Sequence, residues 1–192
     1  MVWHIHVTRR LICHIPFDAY AGAMADLSRH LPLSHRPHTD ESSVTGDWRH
    51  ALADVVAAAA HLTGDPDQLR GFLVDAKLAA EFPDASPADV AAAIRSGRRR
   101  RIAELADATR ALLRLAGDRV VALDPTTSGA VALYGATRAP FDRRAVLTGS
   151  TVHATDADWS FGRGPLREAT ARQILVFVLE LGDEPPPLTR RG

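Results

Sequence analysis

The chain has 192 residues, 46% hydrophobic and 24% charged, a mixture that suits one globular domain, or one with a small appendage, rather than a disordered segment. With 23 basic and 23 acidic residues the formal net charge is zero, which excludes a surface built throughout to coat nucleic acid. Cys13 is the only cysteine, so neither an internal disulfide nor a cysteine-cluster metal site forms. No basic start with a long apolar stretch marks a secretory signal, and no run reaches the roughly 18 apolar residues of a membrane helix. A cytoplasmic location with no membrane partner is the expectation.

In chain order, residues 2–7 alternate, with Val2, His4 and His6 on one side and Trp3, Ile5 and Val7 on the other. That pattern is either a short strand or the lead-in to a helix over 9–30 carrying Leu11, Ile12, Ile15, Tyr20, Met24 and Leu27, with Pro16 kinking or starting it. Three prolines among Ser, His, Thr and Asp make 31–46 a connector. Thr45 or Asp47 caps a helix bearing Leu52, Val55, Val56, Ala59 and Leu62 that stops near Gly64. Asp65 and Pro66 start another, predicted to run through Ala80 and to end at Pro83.

Ser86, Pro87 and Asp89 combine a capping hydroxyl, a proline at the first helical position and a first-turn acid. The helix they open is predicted to reach Ala116, with an interruption at Gly97. Strands are predicted over 119–123, 130–134 and 145–154, linked by turns at Asp124-Pro125 and Ser128-Gly129. The segment 167–181 is long enough for a helix, although its Val-Phe-Val core also suits a buried strand. The predicted class is therefore α+β: a helical bundle of about four helices in a mainly helical domain (1–117), a small α/β subdomain (118–182) and a flexible tail (183–192).

Four groups of residues bear on function. His50 and His61 share a helical face, but eleven residues set them roughly 16 Å apart, too far to hold one ion together. A metal site therefore takes ligands from different helices, with His14, His50 and His61 as the candidates for a divalent ion, zinc among them. The run Arg98 to Arg101 looks like a phosphate patch, yet on a helix it spreads around the circumference, Glu104 offsets Arg101, and no aromatic platform accompanies it. It reads as a solvated face, with nucleic acid the weaker alternative. Cys13 beside His14 points about 100° away from it on a helix, so a packed structural cysteine is expected rather than an activated thiol. The least generic stretch is 155–165, where Asp156 and Asp158 lead into Trp159 and Gly162, Gly164 and Pro165 follow. Its aspartates and glycines suit a tight loop anchored by Trp159; a functional version uses Trp159 and Arg163 to line a pocket for an anionic or thiol-bearing ligand.

The run from Val152 through Asp156, Asp158, Trp159 and Phe161 to Pro165, followed by an apolar helix, resembles the closing motif of actinobacterial proteins of the mycothiol-dependent maleylpyruvate isomerase family. The resemblance covers about thirty residues. It implies a DinB-like four-helix bundle followed by a small α/β domain, a divalent metal held by histidines, and mycothiol as a thiol cofactor. The function it implies is a metal- and thiol-dependent isomerase or transferase acting on a small organic substrate, with the metal polarising thiol or carbonyl and Arg163 orienting a carboxylate. The His-x-x-x-His pair of that family is missing, and His61 stands alone. The alternative is a non-enzymatic binding or regulatory protein whose helical part engages a protein partner or a second copy of the chain.

Overall fold

The computed structural model describes residues 46–83 and 85–189. The readings made for residues 1–45, including the strand at 2–7, the helix at 9–30 and the Cys13-His14 pair, lie outside the described residues.

Helix α1 spans Arg49–Leu62 and buries Leu52, Ala53, Val55, Val56 and Ala59, the i, i+3, i+4, i+7 stripe of an amphipathic helix. The Asp47 carboxylate accepts from the Arg49 and Arg100 amides, while the Trp48 amide donates to the Arg100 carbonyl at 3.0 Å. The start of α1 is thus tied to a segment fifty residues later. Helix α2, Pro66–Asp75, begins as expected, with the Asp65 carboxylate accepting from the Asp67 amide at 2.9 Å. It stops short of Ala80, because Lys77 takes a left-handed conformation (φ 60°) and residues 76–82 turn back on themselves.

The interruption expected at Gly97 divides the helix predicted over 86–116 into two. Helix α3, Pro87–Ser96, starts on the Ser86 hydroxyl and ends at Gly97, and helix α4, Ile102–Ala116, follows. Residues 98–101 therefore connect two helices and do not wrap around one. Glu104 caps α4 by accepting from the Arg101 amide at 2.8 Å, and Gly117 (φ 55°) ends it. Leu105, Ala108, Leu112 and Leu113 of α4 join the α1 stripe, Val90 and Ile94 in the core.

Beyond α4 the predicted strands are largely overturned. Residues 120–124 form no strand. The supposed strand at 130–134 is the middle of helix α5, Pro125–Arg138, because the Asp124 carboxylate accepts from the Thr126 and Thr127 amides and Pro125 sits at the first helical position. Asp124-Pro125 is the same start signal as Asp65-Pro66, here misread as a turn. Helix α6, Phe141–Leu147, takes the first part of the strand expected at 145–154. Only Thr151–Ala154 remains as strand β1, joined by β2 (Ser160–Gly162) and β3 (Leu166–Ala169). The segment read as one helix over 167–181 divides at Thr170: β3 precedes it and helix α7, Ala171–Val178, follows.

The sheet order is β2-β1-β3, antiparallel between β1 and β2 and parallel between β1 and β3. Residues 187–189, part of the expected tail, lie along the outer edge of β3: the Thr189 amide donates to the Leu166 carbonyl and the Glu168 amide to the Pro187 carbonyl. The architecture is α+β, with seven helices and one small sheet among the described residues.

Candidate functional site

The aspartate–tryptophan run folds as β1, a turn and β2, and each of its special residues has a mechanical task. The Asp156 carboxylate accepts from the Ala171 amide at 2.6 Å, which caps α7 from fifteen residues away. Trp159 lies on Gly129 of α5, where a side chain would sit 3.0 Å from the indole Cγ, and its indole N–H donates to the buried Ser128 hydroxyl at 3.0 Å. Phe161 stacks beside it, with ring centroids 6.0 Å apart. After β2 the chain must cross the start of β1 to begin β3 on its far side, and it does so in three residues. Gly162 (φ 86°) and Gly164 (φ 125°) make that crossing against the Ser150 and Gly149 carbonyls, where any side chain would clash with backbone. The Thr151 amide and hydroxyl hold it by donating to the Pro165 and Gly164 carbonyls. Arg163 stands at the crossing, exposed to solvent.

Of the histidine candidates, His50 and His61 are exposed at opposite ends of α1, and His14 lies outside the described residues. Among the described residues no three His, Cys, Asp or Glu side chains gather in a way that would hold a metal ion. Trp159 and Arg163 belong to one loop, but Trp159 is turned into the α5 contact while Arg163 is at the surface, and neither is brought to His50 or His61 by any described contact.

Of the arginine run only Arg100 turns inward, while Arg98, Arg99 and Arg101 stay exposed as a solvated face requires. Arg100 is only 1% exposed and grips Glu81 with two hydrogen bonds, 2.6 and 2.8 Å, while also donating to Glu104 at 3.1 Å. Arg98 donates to Glu104 at 2.7 Å. The Arg100 hydrogen bonds hold the Glu81 carboxyl below its ordinary range. Burial alone would raise Glu104, but the Arg101 amide and the Arg98 and Arg100 guanidinium groups outweigh it and pull that carboxyl down as well. Glu104, four residues from Arg100, is the one local sign of this network, whereas Glu81 lies nineteen residues away and is not visible from spacing.

Two surface features have the composition of a binding site. The first is a groove of about 600 Å³ between α2 and the start of α3, floored by Leu69, Leu73, Val74, Ala79 and Phe82, with Arg70 beside it. Val74 is 58% exposed, and Arg70 has no ion pair or hydrogen bond with another described residue. The second is a cleft of about 260 Å³ between α4, α5 and the end of α7, lined by Lys77, Asp107, Arg110, Tyr134, Arg138 and Glu180 over small residues.

No family model, curated protein or solved structure matches this chain.

No helix among the described residues is long and apolar enough to cross a membrane.

Proposed function

We propose that the protein is a non-enzymatic binding or regulatory protein whose helical part engages a protein partner through the α2–α3 groove. The observation that carries this reading is the α2 stripe at 66, 69, 70, 73 and 74, which has the spacing of a covered helix face. Leu73 enters the core and Leu69 packs half-buried against it, but Val74 stays exposed, and the exposed Arg70 charge has no described counter-ion beside it. The occupant this fits is a short amphipathic helix with apolar residues at i, i+3 or i+4 and i+7, and an acid opposite Arg70. Fluorescence anisotropy with labelled synthetic peptides of that pattern, in Glu-bearing and Lys-bearing versions, is the test. Saturable binding of the Glu version, weakened at least about tenfold by Val74→Asp, is the expected result. Binding by neither version, or equal binding by Val74→Asp, overturns it.

A second reading, the metal- and thiol-dependent isomerase or transferase, rests on the C-terminal resemblance together with the layout of its motif as a strand, tryptophan turn, second strand and later apolar helix. In that reading His14 and one of His50 or His61 hold a divalent ion, mycothiol is the thiol, and Arg163, exposed at the loop crossing, meets a substrate carboxylate. Elemental analysis of the purified full chain decides it: about one zinc, iron or nickel per chain supports it, and a metal-free protein that gains none on incubation with these ions sinks it.

A further inference from the structure

We propose that the cleft between α4, α5 and the end of α7 binds the oxyanion group of a small organic molecule, with Arg138 and Tyr134 as the recognition pair. This site is separate from the α2–α3 groove and does not depend on the partner reading.

The cleft exists because the surfaces that meet there carry small residues: Ala103 and Ala106 on α4, Gly135 on α5 and Ala139 just past its end. Gly135 lets α5 approach α7 closely, since a side chain there would come within 2.8 Å of Val178. Long charged side chains form the walls. Three cations, Lys77, Arg110 and Arg138, face two carboxylates, Asp107 and Glu180, so one positive charge is left over.

The pairing identifies which cation that is. Lys77 meets Asp107 at 2.8 Å, and Arg110 donates to the Leu179 carbonyl at 3.0 Å with Glu180 at 3.7 Å. Arg138 has no carboxylate or hydrogen-bond partner among the described residues; its guanidinium lies over the Tyr134 ring, 5.7 Å from the centroid. The cation–π contact restrains the guanidinium while leaving its N–H groups without a protein partner among the described residues, the arrangement that suits two-point binding of a carboxylate or phosphate. The Tyr134 hydroxyl likewise has no partner among the described residues and supplies a further donor.

A second feature singles out the same place. Lys77 (φ 60°) and Glu180 (φ 61°) are the two non-glycine residues with positive φ among those described, each just beyond a helix end, and both line this cleft. Glycine is the usual occupant of such positions, so a lysine and a glutamate there bring charged side chains to the rim at a conformational cost. Lys77 engages Asp107 and Arg110 faces Glu180, so both carboxylates of the cleft are already paired with a cation other than Arg138. The volume, about 260 Å³, is room for roughly eight or nine waters, hence for one small ring or short chain with a charged end.

The test is a titration of the ¹⁵N-labelled full chain with benzoate, phenyl phosphate and uncharged benzamide at constant ionic strength. Saturable amide shifts centred on Tyr134, Gly135 and Arg138 are expected with an oxyanion and not with benzamide, and the preferred anion distinguishes carboxylate from phosphate. Arg138→Gln is expected to weaken binding by about tenfold or more, and Arg138→Lys, which keeps the charge but not the fork, by less. Ala103→Leu fills the cleft and should block binding; circular dichroism and the melting temperature check that each variant is folded. Absence of saturable shifts with either oxyanion, equal binding of benzamide, or unchanged affinity in folded Arg138→Gln overturns the proposal.

Discussion

Gly164 stands at φ 125° with the Gly149 carbonyl in the space a side chain would take. The neighbour is backbone of the turn that leads into β1, not the end of a flexible side chain, so it does not yield easily. Gly164→Ala is accordingly expected to cost at least about 2 kcal/mol, from strain at a glycine-only conformation plus the clash, measured as a shift in the urea midpoint. The milder change at the same loop is Trp159→Phe, which keeps an aromatic ring over Gly129 but loses the indole donor to Ser128. Because the Ser128 hydroxyl still donates to the Pro125 carbonyl, the loss should be about 1 kcal/mol. Glycines and a tryptophan at this spacing are visible in the sequence as a tight, anchored loop. That the loop crosses β1 and docks on α5 is not visible, since both partners are remote in the chain.

Helix starts were the most legible elements. Asp65-Pro66 and Ser86-Pro87 start helices because the side-chain oxygen satisfies an otherwise unpaired amide, and the proline has no amide to satisfy. Asp124-Pro125 obeys the same chemistry, but Val131 and Tyr134, residues at home in strands, masked a helix whose two glycines are packing notches for Trp159 and Val178. The boundary between β3 and α7 shows the reverse: a Thr170 to Gln173 capping box lies in plain view inside the stretch read as one helix. Thr170→Ala should lower stability by about 1 kcal/mol, seen as a lower melting temperature with the helix content of α1 to α4 unchanged. A loss within error would mean that Asp156, which accepts from the Ala171 amide, caps α7 alone.

For the molecule as a whole, the Arg100 network is the main electrostatic link between the start of α1, the turn after α2 and the start of α4. Glu81 and Glu104 both titrate below their ordinary value of 4.5 in the folded protein. With folded values depressed, the stabilisation is present above about pH 4.5 and is lost as pH falls through the lowered values. Urea unfolding from pH 7 to pH 3 should therefore show stability declining on the acid side, and Arg100→Met should flatten that decline. At pH 7 the same substitution should cost about 2 kcal/mol, less than for a fully enclosed pair because Glu81 keeps contact with water. A variant whose acid decline matches the parent's would show that other carboxylates carry it.

Apolar periodicity and local capping chemistry determined the helical first part of an α+β chain and the starts at Asp65 and Ser86. These depend on neighbours within four residues, and a sequence displays such neighbours directly. Tertiary structure alone decided that Arg100 is buried against Glu81, that Trp159 docks on Gly129 of α5, and that Arg138 is the cleft cation left without a carboxylate among the described residues. Each of those outcomes turns on which distant charge or surface arrives alongside, a matter of three-dimensional proximity that residue spacing does not encode.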